Sequence, residues 1–308
     1  MQLSFFDLHC DTAERMLSEH QEFAHNTFSI SLERASVFEQ YIQIMAFWTR
    51  PELDDTTGWK HFLQMHRNLL ADPCISDGRA KICTSCPPKR NGVFLFLSIE
   101  DARILESDLS RVDTLYQMGI RAVTPLWRGE SRIGGAHDTD RGLSPFGRSV
   151  LKRMNELGIL TDISHASEQS ADEILSIAAE NGRPVIASHS NAHAICPVSR
   201  NLRNGTIRSV IQSGGLIGLN LHEPFLAKDH RATREDVLRH MEYFLEQGAK
   251  HSLCFGCDMD GADLPRELST LLDLPALADY LLGYYSEQTV RSVFFENAYH
   301  FVKKYFFT

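Results

Sequence analysis

LTDISHASEQSADEILSIAAENGRPVIASHSNAHAICPVSR, residues 160–200, holds two apolar runs separated by a helical pattern. The runs are ILTDISH (159–165) and PVIASHS (184–190), and each reaches a histidine, His165 and His189. Near-continuous hydrophobicity, rather than strict alternation, suits strands covered on both faces, as in a parallel sheet. Between them, QSADEILSIAAENG reads as a helix stopped by glycine. The unit is strand, helix, strand, with an imidazole at the far end of each strand.

The unit recurs in both directions. FFDLH (5–9), YIQIMAFW (41–48), VFLFLSIE (93–100) and AVTPLW (122–127) precede it, and LIGLNLH (216–222) and SLCFGCD (252–258) follow. In SPFGRSVLKRMNELG, Ser144 caps, Pro145 suits the first turn, Phe146, Val150, Met154 and Leu157 form a stripe, and Gly158 stops the helix. TREDVLRHMEYFLEQG places Thr233 and Asp236 in capping-box spacing and ends at Gly248. NGTIRSVIQSGG also stops at glycine. Eight strands alternating with helices predict an α/β fold, a (β/α)8 TIM barrel. An open doubly wound sheet is the runner-up, but no GxGxxG turn follows the first strand. One domain is expected over 1–308, with a helical and loop insertion at about 49–92 around HFLQMHRNLLA, and C-terminal helices at about 273–308.

Composition narrows the partners. A formal charge of -9 argues against nucleic acid, since phosphate binding wants clustered Lys and Arg. No apolar run approaches the roughly 20 residues that span a bilayer, so no membrane partner is expected. MQLSFFDLHCDT shows no basic segment before a long apolar one, and a cytoplasmic location is the expectation. The seven cysteines include Cys83/Cys86 and Cys254/Cys257. In a strand, positions three apart face opposite sides, so the second pair cannot share a metal, and the cysteines are read as reduced packing residues.

In such a barrel the C-terminal ends of the strands build the active site. Those ends carry Asp7, His9 and Asp11 on the first strand, Glu100 on the third, Trp127 on the fourth and His165 on the fifth. His189 ends the sixth, Asn220 and His222 the seventh, and Asp258 the eighth. His9 and Asp11, two apart, share a face of an extended chain. Imidazoles with carboxylates are the ligand set of zinc or a similar divalent ion. His9, Asp11, Glu100, His165 and His189 are too many for one tetrahedral catalytic site; with one carboxylate bridging, they serve two ions about 3.5–4 Å apart. Glu100, from a strand between the other contributors, is the natural bridge. A lone histidine at a strand end reads as a core or rim residue, as do His20, His25, His61, His66, His230, His240, His251 and His300 in helical or loop patterns. Asp7 either orients His9 from behind or is simply a buried, hydrogen-bonded carboxylate.

With these residues in hand, the chain resembles the membrane (renal) dipeptidase family of zinc peptidases, within the wider amidohydrolase group of barrels. The matching stretches are DLHCD, SIED, GLSPFGRSVLKRMNELGILTDISHAS, PVIASHSNAHAICPVSRNLR, GGLIGLNL and CFGCDMDG, spread over residues 7 to 261. The resemblance implies a metal-dependent hydrolase barrel with two zinc ions: His9 and Asp11 on the first, His165 and His189 on the second, Glu100 between. It implies Asp258 as proton shuttle and Arg200 as the grip on a dipeptide's terminal carboxylate. One departure stands out. Where the family commonly has a histidine after the fourth strand, placed to stabilise the oxyanion, VTPLWRGE puts Trp127. His137 of IGGAHD and Arg128 are the candidates to take that part. The substrate-binding set is then Arg200, Trp127, His137 and Asn220. The expected activity is dipeptide hydrolysis, with N-acyl amino acids, lactones or cyclic amides as alternative substrates. The sequence leaves the oligomeric state open, with a homodimer the commonest symmetric choice.

Overall fold

Every pairing between strands among the described residues is parallel. The computed structural model describes residues 3–106 and 108–306. Its strands are β1 (Phe5–Cys10), β2 (Gln40–Trp48), β3 (Ala80–Ile82), β4 (Gly92–Glu100) and β5 (Ile120–Thr124). They continue with β6 (Leu160–Asp162), β7 (Val185–Ile186), β8 (Ile217–Leu219) and β9 (Leu253–Phe255). Around the ring the order is β7-β6-β5-β4-β2-β1-β9-β8. A bridge between Ala187 and Ile217 joins the two ends, so eight strands form a nearly closed (β/α)8 barrel. The ninth strand, β3, lies outside it. It pairs with the first half of β4, before β5 begins.

The last four strands are shorter than their apolar runs. Polar side chains capture the backbone beyond them: Asp162 Oδ1 accepts from the amides of Ser164 and Ser188, and Asn220 Oδ1 from that of His222. The backbone just beyond β6, β7 and β8 is thereby held by buried side chains. The helices follow their punctuation. Pro145–Leu157 starts at Ser144, whose hydroxyl accepts from Gly147 N, and stops at Gly158 with φ 77°. Val150, Leu151 and Met154 bury its inner face, while Phe146 and Leu157 lie at the margin. Arg234–Glu246 opens with the Thr233/Asp236 capping box. The insertion holds a longer helix than expected, Asp55–Ala71, then a turn at Pro73–Ser76 and the unexpected β3.

Inside the barrel, Phe6 and Leu8, Ile42 and Ile44, and Phe94 and Phe96 form one apolar layer. Phe6 and Phe96 stack with ring centres 6.3 Å apart. Each such side chain contributes roughly 1.5–3 kcal/mol relative to exposure. Residues from the C-terminal helix Asn297–Tyr305 and the preceding π-helical turn, including Phe295, Ala298, Phe301 and Val302, complete the layer from the side where the strands begin. Cys254 faces this interior layer, whereas Cys257 packs in the outer core, so the pair does point to opposite sides. All seven cysteines are free. No helix among the described residues is long and apolar enough to cross a membrane.

Candidate metal centre and active site

Glu100 ends β4 with 3% of its surface exposed, and its two oxygens face different partners. Oε1 lies 2.8 Å from His165 Nε2 and 3.5 Å from His189 Nε2, and Oε2 lies 3.5 Å from His9 Nε2. His9 Nε2 in turn is 3.4 Å from Asp11 Oδ2 and 3.8 Å from Asp258 Oδ1. Residues spread from position 9 to position 258 thus meet at one point over the barrel axis. Two clusters of mutually close donor atoms result, His9/Glu100/His189 and His9/Asp11/Asp258. Asp258 therefore stands beside Asp11, with Oδ1 3.8 Å from His9 Nε2.

The imidazoles are oriented from behind. His165 Nδ1 is 2.9 Å from the carbonyl oxygen of Trp127, which can only accept. Ser188 Oγ donates to Asp162 Oδ2 and so accepts from His189 Nδ1 at 2.7 Å. Both rings carry their proton on Nδ1 and turn a lone pair at Nε2 toward Glu100, the tautomer a metal ligand needs. Burial, with Arg200 nearby, pushes His165 down to about 3; burial and then His9 lower His189. Burial alone would depress His9, but the Glu100 and Asp11 carboxylates override it and hold that imidazole well above its ordinary value. Glu100 is the mirror case: burial opposes its charge, and the positive charge of His9 holds it well below the carboxylate range. Burial and the Glu100 charge push Asp11 up to about 7.

Asp162 escaped the sequence reading, although a carboxylate inside the apolar run ILTDISH was a visible signal. Five donors surround it: Thr124 Oγ1, Ser164 N and Oγ, and Ser188 N and Oγ. Asp7 does not reach the imidazole of His9. Its Oδ1 accepts from the amides of His9 and Cys257, at 3.4 and 2.8 Å, stitching β1 to β9 as a buried structural carboxylate.

Asp258 sits in the left-handed region, φ 61°, a conformation aspartate tolerates better than most residues. Its segment zips onto the end of β1: Asp258 N donates to His9 O, and Asp11 N donates to Met259 O. Two residues on, Asp260 anchors the turn by accepting from Thr12 Oγ1 at 2.6 Å and Ser29 N at 2.7 Å. Gly261 must lack a side chain, because a Cβ there would stand 2.0 Å from Asp11 Oδ2.

A cavity of about 380 Å3 opens above the centre, walled by Trp48, Trp127, Arg200, His222 and Phe225. Arg200 is 5% exposed. It donates to the carbonyl of Ser164, lies 2.9 Å from His165 Nε2, and stacks over Phe225 at 5.1 Å. Burial lowers its pKa to about 10, so it is charged at neutral pH. Among the described residues no carboxylate pairs with it.

Two expected substrate contacts are placed elsewhere. Asn220 is fully buried beneath the cavity, with Nδ2 donating to Asp258 Oδ2 at 3.0 Å, so it touches the carboxylate and not the cavity. His137 packs its ring 6.0 Å from that of His165 and bonds Ser199 Oγ at 2.8 Å, lining a neighbouring cavity with Arg203. Burial and Arg200 push it down to about 4. Arg128 points outward and pairs with Asp138.

The family model of the membrane dipeptidases, peptidase family M19, matches residues 2–305. The chain belongs to that family. It is a hydrolase, a metallo-dipeptidase, and the sequence resemblance is borne out over the whole barrel. A crystal structure of dipeptidase AC, an M19 metallopeptidase, superposes with a TM-score of 0.91 at 26% identity, covering 100% of both chains. A metallopeptidase from Rhodobacter sphaeroides, liganded with a phosphinate mimic of the dipeptide L-Ala-D-Ala, gives 0.89 at 25% identity over 99% of this chain and 100% of that one. An uncharacterized protein from the pqqA 5′ region of Klebsiella pneumoniae is 30% identical over 223 residues, 67% of this chain and 81% of its own length. The family's members are metal-dependent, and this chain gathers side chains that could bind a metal ion.

Proposed function

We propose that the chain cleaves the amide bond of dipeptides with a free C-terminal carboxylate, at a centre of two divalent ions, zinc by preference, bridged by Glu100. The divided aim of the Glu100 carboxylate carries this reading, one oxygen toward His165 and His189 and the other toward His9. The donor set fits such ions. Asp11 Oδ1 is buried without a hydrogen-bond partner, and the Nε2 lone pairs of His165 and His189 face each other at 2.9 Å. Neighbouring acceptors of this kind repel unless a cation sits among them. His9 and Asp11 would hold one ion, His165 and His189 the other. Bound there, the ions supply Lewis acidity toward a carbonyl oxygen and toward water.

The chain's own residues do the rest. Arg200 offers a planar fork to the substrate carboxylate, in a pocket where burial strengthens the pair. Asp258 Oδ1, facing the centre, takes a proton and delivers it to the leaving amine, while Oδ2 is held by Asn220. The R. sphaeroides relative's dipeptide mimic supports the same substrate class here. The test is a panel of dipeptides against N-acyl amino acids, lactones and cyclic amides, with metal counted per chain. Dipeptides turned over best, with two ions per chain, is the expected result; preference for an N-acyl amino acid would reassign the activity to a related barrel amidohydrolase.

A further inference from the structure

Two tryptophans wall the cavity beside the centre, and the reaction steps above use neither. Trp48 is the last residue of β2 and stands opposite Glu100 in the parallel ladder. Trp127 follows β5, with its backbone carbonyl fixed by His165 Nδ1 and its ring 6.1 Å from that of His165. The two indoles meet edge to face, centres 5.2 Å apart at 62°. Aromatic pairs of this geometry hold each other rigid and present a large apolar surface.

Position around the ring says what meets that surface. The indoles come from β2 and from the chain after β5, flanking Glu100 on β4. Arg200 and Phe225 come from the chain after β7 and after β8, across the mouth. A dipeptide held by its carboxylate at Arg200, with its amide over the centre, extends its N-terminal residue toward the indoles.

Resting on the dipeptidase reading, we propose that Trp48 and Trp127 form the subsite for the N-terminal side chain and select dipeptides whose first residue is bulky and apolar. An acidic N-terminal side chain would lose its water against the indoles without a partner charge, and a small one leaves the indoles wet.

The experiment uses the metal-loaded enzyme and measures kcat/KM for Phe-Gly, Leu-Gly, Ala-Gly and Asp-Gly. The reversed pair Gly-Phe, in both hands, is measured against Gly-Ala. Phe-Gly and Leu-Gly are expected to exceed Ala-Gly by about tenfold or more, the size of discrimination an apolar pocket reaches, with Asp-Gly poorest. Trp48→Ala and Trp127→Ala should bring the Phe-Gly to Ala-Gly ratio toward one, while Trp127→Phe preserves it and the Gly-Phe to Gly-Ala ratio stays put. A wild-type ratio near one overturns the proposal with no variant needed. So does a ratio that survives both alanine variants, or variants that shift the C-terminal preference instead. Turnover of none of these dipeptides defeats the dipeptidase reading, and this subsite with it.

Discussion

Asn220 Nδ2 donates to Asp258 Oδ2 at 3.0 Å from a fully buried position, leaving Oδ1 of that carboxylate to face His9. Asn220 is also locked by Asn191, whose Oδ1 accepts from its backbone amide. Asn220→Ala should therefore lower kcat by about tenfold with KM little changed, the scale seen for partners that orient a functional group. Steady-state kinetics read the split, and an unchanged kcat would remove Asp258 from proton transfer or Asn220 from its support.

Glu100→Ala removes the group on which three histidines converge. It should leave less than one divalent ion per chain by elemental analysis and abolish measurable turnover. Stripping metal from the wild type with a chelator should do the same reversibly. Near-normal hydrolysis by the variant would end the bridged-centre proposal.

Arg200→Lys keeps the charge but loses the planar fork. KM for dipeptides should rise roughly 10- to 100-fold, the worth of one charged hydrogen-bonded contact. Dipeptide amides, lacking the carboxylate, should show no such difference between variant and wild type.

His240 supplies a pH test away from the centre. It is wholly buried, accepts from Ala192 N at Nδ1 and bonds Leu226 O through Nε2. Burial holds its pKa at about 4, against about 6.5 in an unfolded chain. Between those values the unfolded chain takes up a proton that the folded one refuses. The contribution is complete above pH 6.5 and lost as pH falls toward 4, on the order of 3 kcal/mol in all. Urea melts at pH 7.5, 5.5 and 4.5 should show His240→Gln, already weakened at neutral pH, losing less stability than the wild type over that range.

The barrel and the polar residues at its strand ends were legible because they depend on local signals: apolar runs, glycine stops and a polar residue at the end of a run. All eight runs became strands, and the structure gathers His9, Asp11, Glu100, His189 and Asp258 into two overlapping clusters. Less legible was anything set by distant partners. Asn220 read as a substrate contact because it ends an apolar run, yet its amide is spent on Asp258, 38 residues away. His137 sits behind His165 only because its amide joins the His165 carbonyl. Trp48 is an ordinary strand residue until its register with Glu100 is known. β3 was missed because three residues, Ala80–Ile82, carry too little pattern to register.

The aromatic floor beneath the barrel bears on how the chain is made. Phe295, Ala298 and Phe301 are synthesised after every strand they cover. Until they emerge from the ribosome, the Phe6/Phe96 layer has no lid on that side, and the nascent barrel shows greasy surface to the cell. Chains cut short before about residue 290 should accordingly aggregate or cling to chaperones, even though every proposed metal ligand has already been translated.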